Sequence, residues 1–300
     1  MSRNYKATGI NLKSMPLGET DRLITLLTPE RGLIRVVAPG ARKPKSKLGG
    51  RTALFVVNEL VLAKGRSLDR ITQAETLTSY PKLSQTLAKL TVGQYLAEVV
   101  LYQALGDQPQ GDLFELLCQQ LAQLEQVSLQ AVPALLIHSL LHLLTWAGIA
   151  PQVQACCDTQ VPLPTEPGSY SPVALSPRAG GTVLLEPLVG CVGRPFRLAE
   201  PSAPFAGLPR RHRDGVVLGE AGLHLLQAFA AAVATEDAFV LLEDALLFEK
   251  MLQTVPLTVW LSVERALRQY LEYYLERPIR SAALIETCFP TDAAVISVNP

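Results

Sequence analysis

The sequence predicts an α+β chain of several domains: a small five-stranded β-barrel, then an all-α domain. Two observations predict it. The first 80 residues hold five short runs rich in Val, Ile, Leu and Thr, separated by Gly, Pro and Asp. Beyond Tyr80–Pro81 the apolar residues recur at helical spacing.

The strand candidates are "ATGINLKS", "RLITLLT", "LIRVVAP", "ALFVVNELVLAK" and "RITQAETL". The turns "MPLGETD", "PERG" and "GRSLD" and one long basic loop separate them. Five such strands in about eighty residues fit a small closed or partly open barrel. The OB-fold is the nucleic-acid-binding form of that architecture, and an SH3-like barrel fits the same pattern.

In the helical part, Leu83, Leu87 and Leu90 lead into Tyr95, Val99 and Tyr102 at the spacing of one helix face. Asp112, with Glu115 three residues on, reads as an N-cap opening "LFELLCQQLAQLEQ". A third helix is expected from Val132 to Ala147, stopping at Gly148. Further helices are expected at 220–234, 237–251 and 256–276, the last two separated by Pro256. The expected domains are 1–80 (barrel), 81–150 (helical, first part), 151–205 (a segment holding Cys156, Cys157 and Cys191), 206–287 (helical, second part) and 288–300 (tail).

No apolar run follows "MSRNYKATGINL", which argues against a signal peptide. The most apolar stretch, "ALLIHSLLHLLTWAGIA", is short and interrupted by His138, Ser139, His142 and Thr145, which argues against a membrane span. Five cysteines without regular spacing suggest reduced thiols in a cytoplasm.

Formal net charge is zero, but it is segregated. Residues 1–80 carry 14 Lys and Arg against 6 acids, and the remainder carry 13 against 21. From Arg31 to Asn58 there are seven cations and no acid: Arg31, Arg35, Arg42, Lys43, Lys45, Lys47 and Arg51. Within "GARKPKSKLGGR", Pro44 blocks helix while Gly40, Gly49 and Gly50 loosen the chain, so an extended, mobile strand of cations is expected. Such a strand can track a phosphate backbone and release its counterions. A solvated hairpin loop is the plainer reading, although seven cations without an acid exceed what solubility requires. Only Tyr5, Phe55 and Tyr80 are available for base stacking in this part, so binding should be phosphate-driven and weakly selective. The expected DNA-binding residues are Arg22, Arg31, Arg35, Arg42, Lys43, Lys45, Lys47, Arg51, Lys64 and Arg66.

The run "GINLKSMPLGETDRLITLLTPERGLIRVVAPGARKPKSKLGG" closely resembles the N-terminal region of the RecO family of bacterial DNA repair and recombination mediators. The resemblance continues through "TQAETLTSYPKL", "GIAPQVQAC", "LSPRAGG" and "LRQYLEYYLERPIRS". It implies an OB domain, then a helical domain with a cysteine-bearing, zinc-ribbon-like insertion. It also implies binding of single- and double-stranded DNA and annealing of complementary strands. The implied partners are RecR, in some bacteria RecF, the C-terminal tail of single-stranded DNA-binding protein (SSB), and indirectly RecA. A nucleoid-associated cytoplasmic protein is expected.

The insertion departs from that family. Many relatives carry two CxxC pairs that would close a tetrahedral zinc site. Here Cys156 stands at the first ligand position, but Thr159 takes the second, Cys157 is merely adjacent, and only Cys191 follows "TVLLEPLVG". A metal-free remnant held by apolar packing is expected. His138 and His142 lie one helical turn apart but lack the Glu of a zincin motif, and are expected to pack locally.

An acidic SSB tail ending in apolar residues needs cations beside a hydrophobic pocket. "RRHR" at 210–213, or Arg265, Arg268, Arg277 and Arg280, would supply the charge. The plainer reading of the second group is pairing at i, i+4 with Glu264, Glu272 and Glu276. No P-loop, GxSxG, paired metal carboxylate motif or dinucleotide turn is present, so no enzymatic activity is expected. An RNA-binding OB protein is an alternative, and a helical interaction scaffold another, although the latter leaves the N-terminal cations unexplained.

Overall fold

The computed structural model describes residues 4–165, 172–185, 215–234 and 251–290. They fall into two compact units. One runs to Val132 and takes in Arg280–Cys288; the other comprises Pro133–Ile279 and the residues from Phe289 on.

The first unit opens with the five expected strands: β1 (Asn4–Leu17), β2 (Asp21–Thr28), β3 (Gly32–Ala38), β4 (Val57–Ala63) and β5 (Asp69–Thr78). They close into a barrel in the order β1-β2-β3-β5-β4. The β3–β5 pair is parallel and the others antiparallel, which is the OB arrangement. One strand makes closure possible. β1 pairs with β4 through Asn4–Ile10 and with β2 through Ile10–Leu17, with a register shift between Asn11 and Lys13 where it bends. Alternation sends Ala7, Ile24, Leu26, Val36, Ala38, Leu60, Leu62 and Ile71 into the core.

The basic β3–β4 loop is not the extended strand that its composition suggests. It folds as consecutive turns, with Lys43 N–H donating to Gly40 O, Ser46 N–H to Lys43 O and Gly49 N–H to Ser46 O. Ala41 is buried and Leu48 packs against the barrel core, so apolar anchoring between the cations overrides the tendency of Pro and Gly to leave the chain open. The loop ends at Phe55, held at φ 62° by its own N–H bond to Asn11 O. The Phe55 ring lies against Gly93, where a Cβ would stand 3.2 Å from it.

After a 3-10 turn (Pro81–Gln85) come α1 (Leu87–Gln103), capped by the Thr86 hydroxyl, and α2 (Gly111–Gln126). The buried face of α1 is Val92, Tyr95, Leu96, Val99 and Val100. Leu83 is buried from the 3-10 turn, and Leu87 is 58% exposed, so the two do not extend that face as expected. Asp112 is not the cap of α2. Gln110 is, because its N–H is drawn to Pro29 O, and Asp112 sits in the first turn, where its charge suits the helix dipole. The 3-10 turn Ser281–Leu284 and the short α6 (Ile285–Cys288) complete this unit.

The second unit holds nearly all of α3 (Val132–Trp146), together with α4 (Glu220–Ala234) and α5 (Leu257–Leu275). α3 stops where expected: Gly148 adopts φ 71° and Ile149 N–H returns to Leu144 O. With the preceding 3-10 turn its apolar stretch reaches 18 residues, longer than the sequence suggests, but 72% of it is buried, as in the core helix of a folded domain. The His138 and His142 rings meet edge to face at 4.5 Å, and His138 also abuts Phe229. Two strands of the insertion, β6 (Val173–Ser176) and β7 (Gly181–Leu184), join β8 (Val216–Leu218), which lies beyond the insertion's expected end at residue 205, in a three-stranded sheet of order β7-β6-β8. No local pattern predicts its third strand. The helix expected at 237–251 lies almost wholly outside the described residues, as do Cys191 and "RRHR".

Candidate nucleic-acid interface

The ten expected cations divide by what they already hold. Arg22 Nη1 donates to Ser14 Oγ at 3.1 Å, Arg42 Nη1 donates to Gly18 O at 2.7 Å, and the Arg31 guanidinium lies 4.5 Å from the centre of the Tyr5 ring. These three stitch the barrel together. Arg35, Lys43, Lys45, Lys47, Lys64 and Arg66 are exposed, and none makes a side-chain hydrogen bond or ion pair among the described residues. Arg51 is half-buried and belongs to a third kind: its carbonyl is held, whereas its guanidinium makes no bond among the described residues.

Strand register places Arg35 on an outer face with more cations than the ten expected. Lys13, Thr25 and Arg35 form one cross-strand row, and Met15, Leu23, Val37 and Arg70 form the next. Lys13 and Arg70 therefore join Arg35 around a partly apolar strip on β1, β2, β3 and β5. The signal for Lys13 is the alternation of β1, but the shift between Asn11 and Lys13 breaks it. Arg70 is hidden in the sequence because its neighbour, Val37, lies across the parallel pairing.

One acid stands at the foot of the loop. Asp21 Oδ1 accepts Gly40 N–H and the Thr20 hydroxyl, both at 2.8 Å. These bonds, Gly40 first, hold its carboxyl below the usual range, with the Arg70 and Lys43 charges adding to the effect. Asp21 thus fixes where the loop leaves β3.

The three aromatics of this region are committed elsewhere. Tyr5 donates its hydroxyl to Asp69 at 2.5 Å, Phe55 is 3% exposed, and Tyr80 donates to Cys118 O at 3.1 Å. The barrel therefore presents cations and hydroxyls, with no stacking platform among its described residues.

Of the arginines considered for an acidic tail, Arg268 approaches Glu264 at 3.7 Å, the expected i, i+4 pair. Glu272 Oε1 instead accepts Ile279 N–H, and Glu276 is the left-handed cap of α5. Arg265, Arg268 and Arg277 belong to the second unit and Arg280 to the first. A cavity of about 480 Å³ in the second unit is lined by Leu141, Val153, Ala230 and Val233 among others, with no cation among its described lining.

The described part of the insertion holds Cys156 and Cys157, while Cys191 lies outside it. Cys156 Sγ accepts Leu184 N–H at 3.3 Å and is bonded by Thr159, which stands where a second thiolate would be needed. Among the described residues no three His, Cys, Asp or Glu side chains are placed to share a metal. Backbone bonds close the turn instead, with Cys157 N–H to Thr182 O and Thr182 N–H to Gln152 O.

The family model described as recombination protein O, N-terminal, matches residues 1–80, and its C-terminal counterpart matches residues 84–211. A protein of Acaryochloris marina named DNA repair protein RecO is 55% identical over 297 residues, covering 96% of each chain. One of the same name from a Cyanothece species is 51% identical, covering 96% of this chain and 97% of its own. Another, from Nostoc punctiforme, is 45% identical over 304 residues.

Proposed function

The chain belongs to the RecO family and so to DNA repair and recombination, and from that premise we propose that it is a non-enzymatic mediator that binds single- and double-stranded DNA. It anneals complementary strands and, with RecR, assists RecA loading onto SSB-covered single strands, in some bacteria together with RecF. It works in the cytoplasm, at the nucleoid.

One observation supports this most directly. Lys43, Lys45 and Lys47 project from a loop whose own backbone bonds and apolar anchors hold it folded, and none of the three forms an ion pair among the described residues. Cations held ready in this way lose little conformational freedom on meeting phosphates and release the counterions of the strand. Neutralised phosphates let two strands approach, which is the physical requirement for annealing. The Lys13, Arg35 and Arg70 face offers a second track for the same strand or for its complement.

The test is fluorescence anisotropy on a labelled single-stranded oligonucleotide across a salt series, comparing wild type with a variant carrying Lys43→Ala, Lys45→Ala and Lys47→Ala. Weaker binding, with a log–log salt slope shallower by about 0.7 for each phosphate no longer neutralised, supports the reading. Unchanged affinity and slope would remove the loop from the binding surface. RNA of equal length competing as well as DNA would favour the RNA-binding alternative.

A further inference from the structure

Arg51 is positioned with more care than any other cation of the loop. Asn11, 2% exposed, donates its side-chain amide to Arg51 O at 2.7 Å and to Ala53 O at 2.7 Å. Asn58, 1% exposed, donates to the same Arg51 O at 2.9 Å. Thr76 then donates its hydroxyl to Asn58 Oδ1 at 3.0 Å, which fixes which end of that amide faces Arg51. Two buried polar side chains, from β1 and β4, are thus committed to one carbonyl. Buried amides are costly unless bonded, and here their bonds fix the backbone beneath a guanidinium that binds nothing among the described residues.

Arg51 borders an open cleft of about 400 Å³, lined also by Lys47, Gly50, Val56, Thr76 and Ser79. The volume lies within the range of small-ligand sites. Two cations and the Ser79 hydroxyl are available as donors, Val56 supplies an apolar wall, and among the described residues no acid lines the cleft. The Thr76 proton is already given to Asn58, so Thr76 orients rather than donates.

We propose that this cleft is a nucleotide subsite of the DNA-binding surface. In it Arg51 grips one backbone phosphate through its planar fork, Lys47 and Ser79 complete the donor set, and Val56 packs against the sugar. Asn11, Asn58 and Thr76 are positioning residues. The subsite rests on the DNA-binding reading and gives it a fixed register: one phosphate is seated, while the neighbouring lysines hold the rest of the strand loosely.

The test uses the full chain and anisotropy of a labelled oligothymidylate over a salt series. Arg51→Gln keeps the carbonyl that the asparagines hold, so the fold is preserved, which a thermal melt checks. It should weaken strand binding roughly tenfold and flatten the salt slope by about 0.7. Arg51→Lys should retain the slope but not the full affinity, because the charge remains and the fork is lost. Thr76→Val should weaken binding roughly threefold at unchanged slope, since it releases Asn58 without removing a charge. A purely structural role for Thr76 would lower the melting temperature and leave affinity intact.

If Arg51→Gln binds like wild type while the triple lysine variant does not, the subsite is refuted and the DNA-binding reading stands. If wild type itself fails to bind the strand, both fall. Inorganic phosphate and thymidine monophosphate at matched ionic strength form the second arm. Arg51-dependent binding of either, with strand affinity unaffected by Arg51→Gln, would make the cleft a small-anion pocket and overturn the proposal.

Discussion

Glu98 accepts both the backbone N–H and the hydroxyl of Ser281, at 2.8 and 2.6 Å, across 183 positions of sequence. Arg280 N–H and the Tyr102 hydroxyl reach the same carboxylate at 3.1 and 2.8 Å. One side chain on α1 thereby fastens the segment Arg280–Cys288 into the first unit.

Burial alone would raise the Glu98 carboxyl, but the Ser281 hydroxyl and N–H, with Tyr102 and Arg280, outweigh it and hold the carboxyl below its ordinary value. A carboxyl lowered in the folded chain contributes stability above the unfolded value, about 4.3, and loses that contribution as pH falls through the folded value. Glu98→Gln keeps one acceptor and turns an amide donor toward donors. It should cost about 1–3 kcal/mol at neutral pH. Urea denaturation of both proteins should show this gap narrowing below about pH 4.

Gly32 opens β3 at φ 61°, and a Cβ there would lie 2.0 Å from Leu105 O and 2.8 Å from Gln108 O. Leu33 N–H donates to that same Leu105 O at 2.9 Å, so the β2–β3 turn docks directly on the chain that follows α1. Gly32→Ala combines backbone strain with a steric clash that only movement of the docked chain relieves. It should destabilise by more than about 1 kcal/mol, and by more than Gly18→Ala, where φ is 62° but nothing lies within 4 Å. A pair of thermal melts separates clash from strain.

The strands and their order along the chain are legible because alternation and turn residues are local signals. So is the end of α3 at Gly148. The start of α2 is not, because Gln110 is fixed by Pro29, which lies some eighty residues away in the sequence. The loop misleads for the same reason: Pro44 and three glycines argue locally for an open chain, while Ala41 and Leu48 are anchored by a barrel core assembled from distant strands. Counting cations marks a candidate surface but does not rank its members. Arg22, Arg31 and Arg42 look like Arg35 in sequence, and only their partners Ser14, Tyr5 and Gly18 separate them. The pairing of Asn11 with Asn58 on Arg51 carries no sequence signal, since each asparagine sits in an ordinary strand.

That ranking has a direct test. Arg31→Ala removes a guanidinium lying over Tyr5 and should lower stability by about 0.5–1 kcal/mol, with little effect on the salt slope of strand binding. Arg35→Ala removes an exposed cation with no described partner and should do the reverse: unchanged melting, and a slope shallower by about 0.7. The same reversal in Lys13→Ala and Arg70→Ala would establish the outer barrel face as a second track.

In the insertion, Cys156 is 1% exposed, and burial alone would raise its thiol. The Thr159 hydroxyl and the Leu184, Thr159 and Asp158 N–H groups outweigh burial and lower it. Those hydrogen bonds occupy the Cys156 sulfur without a metal. The purified chain should carry less than one zinc per molecule by elemental analysis, and a chelator should leave its melting temperature unchanged. A chelator-induced drop would restore zinc to the fold.

The commitment of the aromatics sets the last expectation. The Tyr5 phenol is pushed up to about 12, by burial first and then by its bond to Asp69, so it stays protonated and bonded throughout the physiological range. Phe55 cannot swing out toward a base without vacating the space against Gly93 and abandoning the loop end that it anchors. Base stacking on aromatics contributes about 1–3 kcal/mol per base where it operates, and purines stack better than pyrimidines. A barrel that binds through phosphates alone should therefore hold oligothymidylate at least as well as an oligoadenylate of equal length, because the adenylate must first unstack. Tyr5→Phe should leave both affinities unchanged. Phe55→Ala should cost about 3–5 kcal/mol of stability, which thermal melts read independently of binding. A strong preference for purine strands that survives Tyr5→Phe but is lost with Tyr5→Leu, which removes the ring, would place a stacking platform where the fold has put a structural tyrosine.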